Sequence, residues 1–301
     1  MSARESELLA HIYRRSASLA GHGGIIVGPG DDAAVIDIGG QMIVTIDQLI
    51  EGRHFDGAST DVTLIARKAV ARSVSDIAAM GGTPTCGLAT GCLPDGYAHA
   101  NELFDAMAHW AHSFGCPLIG GDIASSPGPM MLTVTVLGKV HQVRGPVLRS
   151  TARIGDDVYM TGRLGGAVRS DRHLTFEPRL AEAAWLCDTL GDALGAMIDI
   201  SDGLGRDAGR IATASNVRLL LEAKRFPLHE DAGTWEQAAR EGEDYELIFT
   251  VQPGVMVPHR VETTGTAISQ IGRIIEGAGC GIIQPDNSVL EADSLGWDHG
   301  G

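Results

Sequence analysis

The strongest constraint on this chain is a set of aspartates at the edges of apolar, glycine-punctuated stretches that lie far apart in sequence. They occur in Gly30-Asp31-Asp32, Thr45-Ile46-Asp47, Ser75-Asp76, Gly120-Gly121-Asp122 and Asp199-Ile200-Ser201-Asp202. Each stretch reads as a buried strand or helix, so packing the apolar parts into a core draws the acids together. Two carboxylates ~4 Å apart repel by roughly 4 kcal/mol at an effective dielectric near 20. A cluster of them either takes up protons or binds hard divalent cations through oxygen. Magnesium acting on a phosphate-bearing substrate is the chemistry this pattern predicts.

Charge narrows the partners. A net charge of −15 over 301 residues argues against a broad nucleic-acid or anionic-membrane surface, which needs dense Lys and Arg. Lysine occurs only at Lys68, Lys139 and Lys224, so a bound phosphate must rely on metal ions, backbone N–H groups and arginines. Cys86, Cys92, Cys116, Cys187 and Cys280 form an odd set without a C-x-x-C pair or zinc-finger spacing. Met1 to Arg15 mixes charged and apolar residues without a signal-type apolar core, and no run of about 18 apolar residues appears. The expectation is a cytoplasmic chain with neither nucleic acid nor membrane as partner.

Hydrophobic periodicity supplies the elements. The β-branched segment Gln41 to Ile50 predicts a strand with Asp47 near its end, and Met131 to Val140 predicts another. Asp61 to Met80 has apolar residues at helical spacing, with Thr60 or Asp61 as cap and Gly81-Gly82 as stop. Ala100 to Phe114 is a second amphipathic helix ending at Gly115. Further on, a strand at Val158 to Thr161, a helix around Arg179 to Leu190, a strand at Ala196 to Ile200, a helix at Leu204 to Ala214 and strands at Arg218 to Glu222 and Tyr245 to Val251 are predicted. Strands and helices alternate in both halves, which points to two mixed α/β (α+β) domains, residues 1–148 and 149–301.

Single residues sharpen the site. Asp76 falls in the last turn of its helix, where the macrodipole is negative and an acid costs ~0.3–1 kcal/mol unless a cation is bound there. Gly120-Gly121-Asp122 follows Cys116-Pro117-Leu118-Ile119, so the glycines permit a close backbone approach or form a plain turn. Asp202 precedes a helix that opens with Gly203-Leu204-Gly205. It serves either as a cap or, with free N–H groups at a helix start, as part of a phosphate and metal site. His109-x-x-His112 reads as a solvated helix face, Gly162 to Gly166 as a loop, and Gly242-Glu243-Asp244-Tyr245-Glu246 as an acidic segment before a strand. There is no P-loop, H-E-x-x-H or G-x-S-x-G motif.

Eight ordered segments resemble the thiamine-monophosphate kinase family over nearly the whole chain. They are Gly28 to Ile36, Glu51 to Phe55, Ser73 to Pro84, Leu118 to Asp122, Leu148 to Gly162, Ile198 to Leu204, Gly242 to Thr250 and Gly296 to His299. That family belongs with aminoimidazole ribonucleotide synthetase, selenophosphate synthetase and a hydrogenase maturation protein. The resemblance implies the aminoimidazole ribonucleotide synthetase type of fold, with an N-terminal metal- and ATP-binding domain that forms a homodimer interface and a C-terminal domain closing over nucleotide and substrate. It implies ATP- and magnesium-dependent phosphorylation of thiamine monophosphate by direct in-line transfer. By motif, Asp31, Asp32, Thr45, Asp47, Asp76, Asp122, Asp199 and Asp202 correspond to metal ligands. Gly121, Asp122, Arg149 and Ser201 correspond to nucleotide contacts, and His54, Glu243 and Trp297 to the thiamine side. No side-chain nucleophile is implied.

Three departures stand out: Ile46 and Gln48 flank Asp47 where the family usually has a hydroxyl, Glu241 replaces a small residue, and the stretch from Gly166 to His173 is short. A selenophosphate synthetase would carry a Cys and Lys near the N-terminal glycines, and the hydrogenase protein would end in Cys, whereas this chain ends Asp298-His299-Gly300-Gly301. An aminoimidazole ribonucleotide synthetase-like activity and a non-catalytic nucleotide or thiamine-phosphate sensor are the alternatives.

Overall fold

The structure is a computed structural model that describes residues 25–27, 31–37 and 39–298. Met1 to Arg15, the Gly28 to Gly30 part of the first motif and His299 lie outside the described residues.

The first half builds one sheet from β1 (Ile25–Val27), β2 (Ala34–Asp37), β3 (Gln41–Ile50), β4 (Thr83–Pro94), β5 (Leu118–Ser126) and β6 (Met131–Lys139). Their spatial order is β1-β2-β3-β6-β4-β5, antiparallel except for the β4–β5 pair. Along β3 the side chains alternate: Ile43, Thr45 and Leu49 are buried, while Ile46 and Gln48 face outward. Two helices cover the inner face, α1 (Val62–Ala79) and α2 (Ala100–Ser113). Asp61 caps α1, its carboxylate accepting the Thr63 N–H at 2.8 Å. Most of α1 is buried, as expected of a helix enclosed on several sides.

The second half builds a sheet from β7 (Asp157–Thr161), β8 (Leu194–Asp199), β9 (Arg218–Glu222), β10 (Leu247–Val251), β11 (Ile268–Ile275), β12 (Gly279–Ile283) and β13 (Val289–Glu291). The order is β13-β12-β9-β11-β7-β10-β8, with β9 and β12 parallel. Its helices are α3 (Arg172–Thr175), α4 (Leu180–Leu190), α5 (Leu204–Ser215) and α6 (Trp235–Arg240). The expected division at residues 148 and 149 falls between β6 and β7. Apolar contact crosses it: Ala78 and Ala79 at the end of α1 join Ala183, Leu186, Met197 and Phe249 in one buried cluster. That junction fixes the last turn of α1 against β8.

The predicted helices and strands appear within a few residues of their expected bounds. β1, β2, β4, β5, the three strands β11 to β13 and the short helices α3 and α6 were not anticipated. In β4 and β5 the glycines that look like breakers are packing sites. A Cβ at Gly91 would lie 2.7 Å from the Phe104 ring, and one at Gly121 would lie 1.9 Å from Ala89 O. The close approach expected at Gly121 is therefore to its own neighbouring strand.

Ile77 is fully buried between α1 and the first sheet. Ile77→Ala is expected to lower unfolding free energy by about 2–5 kcal/mol, read from denaturant titration.

Candidate active site and metal centre

Asp76 and Asp199 come from different halves of the chain. The α1 end places Asp76 beneath β3, and β8 ends at Asp199. Each carboxylate receives a neighbouring hydroxyl: Thr45 Oγ1 donates to Asp76 Oδ2 at 2.5 Å, and Ser75 Oγ donates to Asp199 Oδ2 at 2.6 Å. Asp32, Asp76 and Asp199 each offer an oxygen, and these oxygens all lie within 4.8 Å of one another. Burial, then repulsion from Asp47, Asp199 and Asp32, pushes the Asp76 carboxyl well above its usual range. Burial and the charge of Asp32 do the same to Asp199. Asp31 is pushed up to about 6, again by burial first and Asp32 second. An all-oxygen set whose charge is this poorly compensated fits a hard divalent cation.

Arg149 supplies part of the compensation. Its Nε donates to Asp32 Oδ2 at 2.7 Å and its backbone N–H to Asp31 Oδ2 at 3.1 Å. Asp47 lies beside the cluster, with its Oδ1 3.5 Å from Arg72 Nη2. Asp202 is turned toward Arg210, 2.5 Å away, rather than into the three-carboxylate group. Asp122 is not brought to the cluster within one chain. Asp47, Val134, Ala89 and Gly121 form one transverse row, so Asp122, next to Gly121, stands on the exposed edge strand three strand spacings, about 14 Å, from Asp47.

A cavity of about 730 Å³ adjoins the acids. His54, Ser201, Asp202, Glu243 and Trp297 all line it, so the three thiamine-side residues share one space with Ser201, whereas Gly121, Asp122 and Arg149 are not part of its wall. His54 is held by the Ile50 N–H, which donates to Nδ1 at 2.9 Å. Trp297 is anchored by its backbone N–H on Asp202 O at 2.8 Å and is half-exposed.

Glu243 adopts φ 68° and Tyr245 φ 52°, left-handed conformations uncommon for such residues. The turn sends successive acids to different partners. Glu243 Oε2 meets Lys68 Nζ at 2.7 Å. Asp244 accepts the Gly165 N–H at 3.0 Å and pairs with Arg172 at 3.3 Å, and Glu246 binds Thr161 and Arg179. Burial alone would raise Glu243, but the Lys68 and Arg72 charges more than offset it and keep its carboxyl below the usual range. The segment that reads as a charged turn is a wired hub.

Two readings gain detail at the level of contacts. The N–H groups of Ser201, Asp202 and Gly203, expected to be open to phosphate, all donate to Asp207 Oδ2 at 3.0, 3.0 and 3.2 Å. Glu241 accepts the Gly166 N–H at 2.7 Å and pairs with Arg169 at 3.1 Å, so it staples the short 166–173 stretch to the cavity wall. Lys68, Arg72, Ser75 and Asp207 were not singled out as site residues. A signal existed for the first two, because Lys68, Arg72 and Asp76 recur at four-residue steps along one stripe of the helix. His109 and His112 are exposed as expected, and all five cysteines are free. No helix among the described residues is long and apolar enough to cross a membrane.

Residues 30–140 match the family model "AIR synthase related protein, N-terminal domain". A thiamine-monophosphate kinase of Rhodopirellula baltica is 34% identical over 295 residues, covering 91% of this chain and 90% of the relative. Among solved structures, AaThiL complexed with AMPPCP and TMP superposes with a TM-score of 0.82 at 25% identity, covering 98% of this chain and 97% of that one. Thiamine-monophosphate kinase from Stenotrophomonas maltophilia gives 0.71 at 30% identity, covering 97% and 98%.

The raised carboxyls set a pH dependence. An unfolded Asp titrates near ~3.9, whereas Asp31 holds its proton to about 6 and Asp207, through burial, to about 7. Between these limits the folded chain binds more protons than the unfolded one, so stability falls as pH rises through that window. We expect the melting temperature without divalent cations to drop between pH 5 and 8, and millimolar Mg²⁺ at pH 8 to raise it by a few degrees. A melting temperature at pH 8 that does not respond to Mg²⁺ removes the cluster as a cation site.

Proposed function

The chain belongs to the thiamine-monophosphate kinase family, and on that premise we propose that it transfers the γ-phosphoryl group of ATP to the phosphate of thiamine monophosphate, giving thiamine diphosphate. The observation that carries this reading is the meeting of Asp199 with Asp32 and Asp76 beside a cavity that also presents Glu243 and Trp297. Both substrates bear anionic phosphates, and one carries a cationic thiazolium; the site offers an acidic cluster for one need and an indole plus a carboxylate for the other.

Magnesium, when bound, neutralises the charge on the phosphate oxygens. Asp32, Asp76 and Asp199, with Asp31, Asp47 and Thr45 around them, are the residues that would hold it. Asp202, lining the cavity, is the candidate for a further ion on the nucleotide side. Arg149, beside Asp31 and Asp32, and Ser201, on the cavity wall, are the candidates for nucleotide contacts. On the acceptor side Trp297 offers an aromatic face, an attraction worth ~0.5–2 kcal/mol for a cation, and Glu243 adds a carboxylate that Lys68 holds ionised. The attacking phosphate is already ionised near neutral pH, so no side-chain nucleophile or general base is needed. Catalysis is positioning and electrostatics.

We also propose that the chain works as a homodimer in the cytoplasm, with residues 1–148 and 149–301 as its two domains. Support for the dimer comes from the first sheet, where Ile46 and Leu88 are 66% and 40% exposed, and from β5, which is exposed along nearly its whole length together with Gly121 and Asp122. A second copy seated there would cover this surface.

Incubation with ATP, Mg²⁺ and thiamine monophosphate is expected to yield thiamine diphosphate, and ligand binding without turnover would instead favour a sensor. Radiolabelled γ-phosphate should not remain on the protein after denaturation; a labelled chain would overturn direct transfer. Asp76→Asn should lower turnover by about 100-fold or more. It should leave metal-free stability at pH 8 no lower than wild type, because a repelled charge has been removed.

A further inference from the structure

Lys68, Arg72 and Asp76 share one stripe of α1. Asp76 closes the stripe in the acidic cluster, and Lys68 and Arg72 line the cavity wall. The two cations differ in what they can still donate. The Lys68 ammonium has three hydrogens, and three groups already surround it: His54 O at 2.8 Å, Glu243 Oε2 at 2.7 Å and His173 Nδ1 at 3.3 Å. Burial, then the Lys68 charge, pulls His173 down to about 4, so its ring is neutral and able to accept.

Arg72 is only half engaged. Nη1 donates to Gln48 O at 3.1 Å, Nη2 reaches Asp47 Oδ1 at 3.5 Å, and the buried Nε meets no acceptor among the described residues. A guanidinium carries five N–H donors in a planar fork that matches phosphate oxygens. Arg53 and Arg240, the other arginines of the cavity, are exposed. Arg72 is therefore the enclosed cation with unused donors, standing between Asp47 on one side and the cavity on the other.

The acceptor substrate needs such a group. The carboxylates that serve the nucleotide's cation repel the acceptor's phosphate as well, and that phosphate must come close to them to react. We propose that Arg72 receives the phosphate of thiamine monophosphate and holds it at the seam between cavity and acidic cluster, an assignment that rests on the kinase reading above.

The test compares ligands that differ only in the phosphate. By calorimetry on the full chain with Mg²⁺, wild type is expected to bind thiamine monophosphate at least about tenfold tighter than thiamine, the size of a hydrogen bond to a charged group. Arg72→Gln should bring the two affinities within about twofold of each other while changing thiamine binding little. The KM for thiamine monophosphate should rise by a similar factor, with the KM for ATP unchanged. Arg72→Lys, which keeps the charge but not the fork, should retain part of the preference, and it carries the same test if Arg72→Gln melts below the assay temperature. A folded Arg72→Gln chain that keeps the wild-type preference, or that loses thiamine and thiamine monophosphate equally, overturns the assignment. Absence of turnover in wild type would sink the kinase reading instead.

Discussion

Like-charge repulsion among Asp32, Asp76 and Asp199 is the constraint around which the rest of this molecule is arranged. Their oxygens are held within 4.8 Å of one another, where a pair of unit charges repels by roughly 4 kcal/mol at an effective dielectric near 20. Nothing local to any one of the three segments would hold them there. The force comes from apolar contact elsewhere, since Ala78 and Ala79 pack into the core that carries Met197 and Phe249 of the second sheet. Hydrophobic burial drives the two halves together, and the acids come with them.

The same helix grades the electrostatics of the site. From Lys68 through Arg72 to Asp76 the stripe runs from cation to anion over two turns, from the cavity wall at Glu243 to the acidic cluster. Burial of these groups is possible because each is answered from another element: Glu243 answers Lys68, Asp47 and the Gln48 carbonyl answer Arg72, and Thr45 answers Asp76. The left-handed turn at Glu243 and Tyr245 delivers the first of these. Backbone strain there is balanced by an enclosed ion pair.

How much of this was legible depends on how local the cause is. β3, α1 and α5 follow from periodicity and caps, which act within a few residues, and so does the placing of Asp76 in a last turn and Asp199 at a strand end. Their meeting follows from packing the apolar segments that carry them into one core. The strand β4 was hidden because its glycines at 87 and 91 look like breakers until the close neighbours Thr135 and Phe104 are known. Lys68 and Arg72 look like solvated residues of a helix face, because only the distant Glu243 and Asp47 make their burial intelligible. Asp122 could not be separated from the other acids, since its distance from Asp47 is a matter of strand order. Strand order is a property of the sheet, not of the motif.

Burial raises several acids here, so a raised carboxyl is not by itself a sign of a cation site; what discriminates is how much compensation each already has. Asp207 is surrounded by three backbone N–H groups and Arg210, and its role is complete as the anchor of the Ser201 to Gly203 loop. Asp244, pushed up to about 8 by burial, likewise accepts the Gly165 N–H and faces Arg172. Asp76 receives one hydroxyl and Asp199 one hydroxyl, while Arg149, whose charge acts on Asp199, is paired with Asp32. Among these buried acids the three-carboxylate cluster alone combines mutual repulsion with so few donors. Among the described residues it is the place where a divalent cation would relieve the most unfavourable charge, and Arg72, which lines the cavity, stands next to it.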